Sequence, residues 1–456
     1  MDRVARGLAR VIVVIGGGWA GCAAAVEIAQ SGRRVALHEA APTLGGRARG
    51  VVRDGLPLDN GEHLLLGAYV ETLRLAAIVR DERVSSPWRD GALTINPFSQ
   101  SVDNAFALRM RQLPAPFGLL AGLLGARGLT WSQRLATIRW FARLRSRGFT
   151  CDGDATVAQL IEDLPAKVRD ELWAPLCVAA LNTPPAQASA RVFMNVLREA
   201  FGGAADAAKM IVPRNGLANA FPDAAARWLR EHGHDVHVAS RLRVVATDEP
   251  RLHASTGEMR ADAAIVAVGP HQFAAAFEPS LVARDARVAA ALRDVESFAW
   301  QPIVSVYVGY PGDVPLPHGL VRLDDDPGQW LFRRDDILAR ATPSASRPAI
   351  GTLLSVVISA HGAHDALDHP TLVSVVDRQL RRLRPSLPRL CWSQVIAEKR
   401  ATYSCVPALA NPEAGRLSGR VYLAGDYTYA AFPATLEAAV RSGVHAARAV
   451  IADTAR

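Results

Sequence analysis

The amino-acid sequence predicts an α/β protein whose second half has α+β character. A strand, a glycine-rich turn, a helix and a second strand follow one another over residues 11–40, which is typical of a parallel sheet flanked by helices. A second strand–turn–helix unit lies near the other end of the chain, over residues 421–451. Between them, apolar runs over residues 300–360 read as strands of a second, mixed sheet with helices.

Composition limits the classes of function. The 456 residues suffice for two or three domains, and half of them are apolar. The net charge is +8, but no basic stripe with interleaved aromatic residues appears, so we expect no nucleic-acid partner. The five widely spaced cysteines argue against disulfides or a metal site and favour a reducing cytoplasm. No uncharged apolar stretch reaches the roughly 18 residues of a membrane-spanning helix.

The first strand–turn–helix unit has the glycine spacing of a dinucleotide-binding turn. Five β-branched residues, Val11–Ile15, form the predicted strand, and Gly16-x-Gly18-x-x-Gly21 follows at once. Gly16 permits the tight turn, Gly18 lets the backbone approach a pyrophosphate, and Gly21 lets the helix pack closely on the strand. The turn therefore predicts a Rossmann-like domain.

The helix and the second strand complete this unit. Trp19 and Ala20 stand at the predicted helix N-terminus, where the helix dipole favours the negative charge of a phosphate. Glu39 ends the second strand, 21 residues after Gly18. A carboxylate there accepts hydrogen bonds from ribose hydroxyls and repels a 2′-phosphate.

The residues that follow Glu39 indicate which dinucleotide the domain binds. Gly45, Gly46 and Arg47 come directly after the acidic strand end, and the stretch resembles the GG-R-x-R signature of the FAD-dependent amine oxidase and phytoene desaturase superfamily. Arg47 can neutralise a diphosphate. The resemblance implies that the segment containing Gly61 runs past the isoalloxazine ring. We therefore expect FAD as the cofactor.

The C-terminal unit supplies the other half of the expected FAD site. A strand over Val421–Leu423 precedes the turn, and a helix is predicted from Pro433 to about Ile451. The resemblance implies that the aspartate of the turn binds the ribityl and phosphate region, and that the helix N-terminus faces the flavin. The predicted cofactor contacts in this unit are Gly425, Asp426, Thr435 and Leu436.

The central segments suggest that the FAD-binding domain is built from separate stretches of the chain. Residues 234–248 read as a hairpin in which Val244 flanks the adenine, and Ala263–Val268 reads as a buried strand that closes the first sheet. These assignments place the FAD-binding domain over residues 10–75, 210–270 and 395–452. Residues 76–209 and 271–394 would then form the substrate domain.

Two apolar stretches in the substrate domain have more than one interpretation. Residues 112–148 combine a leucine-rich run with an arginine-rich helix over Trp131–Arg145, which suits either a helix lying in lipid headgroups or an ordinary helix covering the core. Residues 171–201 read as two helices joined at Asn182-Thr183-Pro184-Pro185. They could line a tunnel for a long hydrocarbon or simply form core.

Four segments spread over nearly the whole chain are distinctive: DNGEHLLLGAY, LCVAALNTPPAQASARVF, EKRATY and LAGDYTYAAFPATLEAAVRSG. Together they resemble a particular group within the superfamily, the hydroxysqualene dehydroxylases, or squalene-associated FAD-dependent desaturases, of hopanoid biosynthesis. Tyr427 is a departure, because the group often has tryptophan there.

The resemblance implies that hydroxysqualene and reduced FAD react to give squalene, water and oxidised FAD. Loss of water from an allylic alcohol leaves a delocalised cation that can accept hydride, and an acid must protonate the leaving hydroxyl. Glu62 and His63 are the candidate acids. The resemblance also implies a triterpenoid substrate, and we expect a transient reductant such as NAD(P)H. The cysteines and residues 112–148 favour a cytoplasmic location at the surface of the inner membrane.

Three other interpretations remain open. A carotenoid-type desaturase would move hydride in the opposite direction, from substrate to FAD. An amine oxidase would need an aromatic cage and often a lysine near the flavin, and the chain has only Lys167, Lys209 and Lys399. A prenyl-lipid carrier of the same fold would bind neither flavin nor a reacting substrate.

Overall fold

The structure, a computed structural model, describes residues 11–80, 88–91, 94–97, 106–109, 113, 117–151, 153, 155–202, 204, 206–214, 216–316, 320–342, 344 and 347–454. Residue 10 of the expected FAD-binding domain lies outside these ranges. Residues 112 and 114–116 of the expected membrane-contacting segment do so as well.

Runs of strands and runs of helices follow one another along the chain. The strands are β1 (Val11–Ile15), β2 (Arg34–His38), β3 (Gly50–Arg53), β4 (Leu56–Asp59), β5 (Leu65–Leu66), β6 (Trp88–Gly91), β7 (Thr94–Pro97), β8 (Leu108–Arg109), β9 (Met210–Pro213), β10 (Asp235–His237), β11 (Arg243–Ala246), β12 (Arg251–Ala254), β13 (Gly257–Arg260), β14 (Ala263–Val266), β15 (Trp300–Tyr310), β16 (Leu320–Arg322), β17 (Trp330–Arg333), β18 (Thr352–Ser359), β19 (Trp392–Tyr403), β20 (Gly415–Ser418) and β21 (Val421–Leu423). The α-helices are α1 (Trp19–Gln30), α2 (Val70–Ile78), α3 (Phe117–Leu124), α4 (Trp131–Ser146), α5 (Val157–Leu160), α6 (Ala166–Val168), α7 (Ala174–Leu181), α8 (Ala190–Phe201), α9 (Leu217–Ala220), α10 (Pro222–Glu231), α11 (Pro279–Arg284), α12 (Ala286–Glu296), α13 (Asp335–Leu338), α14 (His369–Leu383) and α15 (Leu436–Thr454).

The first sheet joins the two ends of the chain. Its strand order is β10-β2-β1-β14-β21-β20, and all pairs are parallel except β20 with β21. The helices α1, α10 and α15 pack on one face through a core rich in alanine, valine and leucine. Gly443 in α15 allows this packing, because a Cβ there would lie 2.1 Å from the Ala20 carbonyl oxygen. The carboxyl ends of β1, β2, β14 and β21 consequently meet at one edge.

The predicted hairpin over residues 234–248 is wrong. β10 pairs in parallel with β2 in the first sheet, whereas β11 pairs with β12 in a separate antiparallel sheet of three strands. The turn between β10 and β11 is held by the segment that follows β2, since the Ser240 and Ala239 amides donate to the carbonyls of Glu39 and Ala41. The local pattern indicated two strands correctly but not their partners.

The second large sheet contains the strands expected between residues 300 and 360. Its order is β19-β15-β18-β17-β16-β7-β8, and α14 packs on one face through an aliphatic core. β19 pairs with β15 along most of its length, so this sheet extends past residue 395, where we placed the start of an FAD-binding segment. The helices α3, α4, α7 and α8 surround a third core that contains Trp140, Phe141 and Trp173.

A buried ion cluster connects the end of β4 and the residues after it to the second large sheet. Arg334, directly after β17, is 3% exposed. Its guanidinium lies 2.5 Å from a Glu62 oxygen, 3.2 Å from an Asp59 oxygen and 3.1 Å from an Asp336 oxygen. Tyr307 of β15 donates its hydroxyl to the Glu62 carboxylate and to the Asp59 carbonyl. The cluster therefore fixes the loop after β4 against the floor of the second sheet.

We expect Arg334→Met to destabilise the protein strongly, because it leaves the carboxylates of Asp59 and Glu62 buried without their cation. The expected loss is about 3–5 kcal/mol, seen as a fall of several degrees in the thermal unfolding midpoint. The matched control is Arg333→Met, which removes the solvent-accessible ion pairs with Asp313 and Asp335 and one hydrogen bond to the Val314 carbonyl, and leaves no buried charge. Equal midpoints for the two variants would contradict this role of the cluster.

Candidate active site

A cavity of about 820 Å³ lies between the carboxyl edge of the first sheet and the floor of the second. Glycine-rich turns line one end, and apolar side chains from β15, β17, β18 and α7 line the other. Its volume is toward the upper end of the roughly 300–1,000 Å³ usual for ligand sites. The cavity is therefore the candidate active site.

Most of the residues selected from the sequence line this cavity. They are Gly16, Gly18, Trp19, Ala20, Glu39, Gly45, Gly46, Arg47, Gly61, Glu62, His63, Gly425, Asp426, Thr435 and Leu436. Segments separated by almost the whole chain are thus brought to one surface.

Two of the selected residues lie outside the cavity lining. Gly21 has a packing role, since a Cβ there would lie 1.8 Å from the Gly16 carbonyl oxygen. Val244 is fully buried in the core around β11, and its carbonyl accepts a hydrogen bond from the Glu278 amide. Leu242, two residues earlier, lines the cavity instead. Val244 thus lies outside the cavity lining, and its contact with adenine stays a prediction.

The glycine end has the donor set expected for a diphosphate. Gly18 precedes α1 without a side-chain cap, so main-chain amides face the cavity at the positive end of the helix dipole. A Cβ on Gly18 would meet nothing closer than the Gly46 Cα, at 4.0 Å. The chain thus presents bare backbone here, which fits close approach of a phosphate group.

The Glu39 carboxylate is fixed at the end of β2. One of its oxygens accepts the Gly17 amide at 2.6 Å, and the other accepts the Ala41 amide at 2.7 Å. Both donors are main-chain groups, so the orientation of the carboxylate does not depend on another side chain. Its position in the cavity lining fits recognition of ribose hydroxyls.

Arg47 and Asp426 join the two remote halves of the site. The Arg47 guanidinium lies 2.5 Å from an Asp426 oxygen and donates to the Ala401 carbonyl at 2.9 Å. Burial alone would lower the pKa of Arg47, but the neighbouring Asp426 carboxylate reverses this and raises it. Arg47 is therefore a permanent positive charge in the middle of the cavity.

The N-terminus of α15 faces the cavity at Thr435 and Leu436. The helix begins at Leu436, three residues later than the start expected at Pro433. Thr435 acts as its cap, because its hydroxyl accepts the Ala438 amide at 3.1 Å. The cap residue, rather than proline, determines where the helix begins.

The two candidate acids have different surroundings. Both Glu62 oxygens accept from Arg334, and burial raises the Glu62 pKa against the opposing effect of that cation. His63 places Nδ1 3.0 Å from the Gly61 carbonyl oxygen, and burial lowers its pKa. A carbonyl can only accept, so His63 Nδ1 carries a hydrogen, and the lowered pKa favours the neutral ring. Neither arrangement favours proton donation into the cavity.

The far end of the cavity is mostly apolar. Its lining includes Leu64, Ala179, Ala180, Ile303, Trp330, Phe332 and Val357. The helical corner expected around Asn182 forms part of this wall, with Asn182 in the left-handed conformation at the end of α7. Its side chain donates to the Pro302 carbonyl and the Thr402 hydroxyl and accepts from the Ala360 amide, which anchors the corner to the second sheet.

Leu242 and Glu398 line the cavity and Arg334 pairs with Glu62 of the lining, but the sequence did not point to any of the three. Leu242 lies two positions from the selected valine, and Arg334 carries no local motif. Glu398 lies in EKRATY, a segment that we had singled out without assigning this residue, and it lines the cavity. An acidic residue within an otherwise regular strand was the available signal for Glu398.

Comparison with known proteins supports the geometry. The model of the family described as flavin containing amine oxidoreductase matches residues 19–451. Hydroxysqualene dehydroxylases of Zymomonas mobilis and Rhodopseudomonas palustris are each 27% identical, over 95% and 98% of this chain and 97% and 99% of theirs. A zeta-carotene desaturase of Synechocystis is 22% identical over 98% of both chains.

Solved structures share the fold at lower identity. An oxidoreductase from Methanosarcina mazei superposes with a TM-score of 0.72 at 15% identity, covering 97% of this chain and all of that one. The resemblance to hydroxysqualene dehydroxylases inferred from the sequence is thus confirmed, as are the α/β fold class and FAD as the cofactor. The chain belongs to the flavin-containing amine oxidoreductase family and is an FAD-dependent oxidoreductase.

Proposed function

We propose that this protein catalyses the reductive dehydroxylation of hydroxysqualene to squalene. The observation that carries the proposal is the cavity. It extends from glycine-rich turns that suit a nucleotide to an apolar end, and its described lining contains no lysine. The substrate is inferred from relatives at 27% identity, which are hydroxysqualene dehydroxylases. Reduction of FAD by a transiently bound nicotinamide cofactor, and a role in hopanoid biosynthesis, are part of the same proposal.

The residues that would hold FAD follow from their positions. Gly18 and the N-terminus of α1 would bind the diphosphate, and Glu39 would bind the ribose. The Arg47–Asp426 pair would lie along the ribityl and phosphate region. The N-terminus of α15 at Leu436 would favour negative charge on the bound ring. Reduced FAD supplies the hydride, while the chain orients the substrate and excludes water.

The apolar chamber suits the substrate side of this reaction. Ionisation of an allylic alcohol produces a cation that water would capture, so the reacting carbon must be kept dry. Ile303, Phe332 and Val357 form a wall without polar atoms in their side chains. We propose that this wall holds the hydrocarbon chain and that the polar residues beside it contact the hydroxyl.

A carotenoid-type desaturase is the second candidate, because the alignment with carotene desaturases also spans nearly the whole chain. The amine oxidase interpretation is less favoured, since Lys167, Lys209 and Lys399 all lie outside the cavity lining. The non-catalytic carrier interpretation is excluded by membership in an oxidoreductase family.

We also propose that the surface formed by α3 and the start of α4 contacts anionic lipid. Residues 113–148 contain six arginines and no acidic residue. Phe117 and Trp131 are 61% and 65% exposed, and the Arg134 guanidinium lies 4.7 Å from the centre of the Trp131 ring. Aromatic side chains and arginines on one surface suit the headgroup region of a membrane. Among the described residues, no helix has both the length and the apolarity needed to span a bilayer.

The direct test of the reaction uses protein whose bound FAD has been reduced without oxygen. On mixing with hydroxysqualene, we expect the flavin to become oxidised and about one squalene to form per flavin, because hydride passes from cofactor to substrate. Absorbance follows the flavin, and gas chromatography measures squalene. A flavin that stays reduced without squalene would contradict the proposal, and reduction of oxidised flavin by a carotene would favour a desaturase.

The role of Glu39 is tested by the affinity for FAD. Glu39→Ala removes a charged acceptor from the ribose site, so we expect the dissociation constant to rise about 10–100-fold. Titration of apoprotein with FAD, followed by flavin fluorescence, measures it. Glu231→Ala, at the exposed end of α10, is the control and should bind as the unmodified protein does. Equal affinities of the two variants would place the ribose elsewhere.

Lipid contact is tested by sedimentation with vesicles. We expect binding to phosphatidylglycerol vesicles, weaker binding to phosphatidylcholine, and weakening by salt, because arginines contact the anionic headgroups. Phe117→Ser with Trp131→Ser should lower the partition coefficient about tenfold. Val52→Ser is the control, since Val52 is 65% exposed on another surface. A partition coefficient that Val52→Ser lowers as much would contradict the assignment.

A further inference from the structure

The proposed reaction requires a proton donor at the apolar end of the cavity. A hydroxyl leaves as water only when it is protonated, and this step needs an acid within hydrogen-bond distance of the oxygen. Four carboxyl groups line the cavity, those of Glu39, Glu62, Glu398 and Asp426. Their contacts distinguish them.

Three of these carboxylates are held by hydrogen bonds or ion pairs to other groups. Glu39 accepts two main-chain amides at the glycine end. Both oxygens of Glu62 accept from the Arg334 guanidinium, and one oxygen of Asp426 lies 2.5 Å from Arg47. Protonation of Glu62 or Asp426 would break a buried or half-buried ion pair, which is costly.

The hydrogen-bond donors to Glu398 are neutral groups, and its charge interacts with the Arg47 guanidinium only at longer range. One of its oxygens accepts the Asn60 side-chain amide at 3.1 Å, and the other accepts the Arg400 main-chain amide at 3.4 Å. The same Asn60 amide group donates to the Arg47 carbonyl, which fixes its orientation. In the part of the chain that the structure describes, Glu398 takes part in no ion pair. A proton on Glu398 therefore costs no salt bridge.

Glu398 also lies where the polar and apolar parts of the cavity meet. In β19 it is paired with Ile303 of β15, and both side chains line the cavity. Val357 and Phe332, on the neighbouring strands, continue the apolar wall. A hydrocarbon chain on this wall would bring an internal hydroxyl next to a carboxyl group.

The other titratable groups of the lining are poorer donors. Burial lowers the pKa of His63 and of His271, which favours the neutral ring in each. Burial raises the pKa of the Tyr69 phenol, which makes it a weaker acid. These directions agree with the assignment that the contacts suggest.

We propose that Glu398 is the catalytic acid that protonates the leaving hydroxyl, an assignment that rests on the proposed dehydroxylation. The electron pair of the carbon–oxygen bond passes to oxygen, which takes the Glu398 proton and leaves as water. The allylic cation then receives hydride from reduced flavin, so the substrate gains two electrons. Hydride loss from an anionic reduced flavin would release no proton, so Glu398 regains its proton from solvent before the next turnover.

The test compares hydroxysqualene with its formate ester, whose leaving group departs as an anion and needs little protonation. In single turnovers with reduced flavin, Glu398→Gln should slow the reaction of the alcohol about 10²–10⁴-fold. The same variant should react with the ester at the rate of the unmodified protein. Lys399→Gln is the control, because this exposed neighbour points to the opposite face of β19.

A second readout does not depend on turnover. When hydroxysqualene binds to the oxidised protein, the infrared difference spectrum should show a perturbed protonated carboxyl band that is absent in Glu398→Gln. The affinity for FAD should be the same in both proteins, since glutamine keeps the contact to Asn60.

The outcomes separate this assignment from the proposed function. If the unmodified protein makes squalene and Glu398→Gln matches it on the alcohol, Glu398 is not the acid. An equal loss on alcohol and ester would mean a positioning role and would also overturn the assignment. If Glu62→Gln shows the alcohol-specific loss instead, the acid is Glu62. Failure of the unmodified protein to make squalene would overturn the proposed function itself.

Discussion

The buried ion cluster around Arg334 is the interaction on which the rest of the structure depends. It holds Asp59, at the end of β4, and Glu62, in the loop that follows, against β15 and β17 of the second sheet. Gly61 and His63 lie in the same loop and line the cavity. The cluster therefore determines the distance between the glycine end of the cavity and its apolar wall. The guanidinium is essential to this geometry because its removal would leave the buried carboxylates of Asp59 and Glu62 without their cation.

The cavity separates two kinds of chemistry along its length. At the glycine end, main-chain amides, helix N-termini and Arg47 favour negative charge and suit a dinucleotide. At the other end, aliphatic and aromatic side chains exclude water and suit a hydrocarbon. Asn60 and Glu398 lie at the boundary, where a hydroxyl on an otherwise apolar molecule would need a polar partner. This division explains how one site can combine a charged cofactor with a substrate insoluble in water.

The sequence predicted those parts of the site that depend on local pattern. The unit from Val11 to Glu39 and the unit around Asp426 lie where expected, because glycine spacing and strand ends are local properties. The hairpin over residues 234–248 failed because β10 pairs with β2, almost 200 residues away. Arg334 and Glu398 were missed for the same reason, since their partners Glu62 and Asn60 are 272 and 338 residues distant. Long-range pairing leaves no trace in a short window of sequence.

The central claim is that one cavity holds FAD at its glycine end and a triterpene alcohol at its apolar end. The most direct measurement is a crystal structure of the protein with oxidised FAD and hydroxysqualene, a combination that cannot supply hydride. The account expects the hydrocarbon chain against Ile303 and Phe332 and the hydroxyl oxygen within about 3.2 Å of a Glu398 oxygen. A chain bound outside the cavity, or a hydroxyl that faces only apolar side chains, would contradict it.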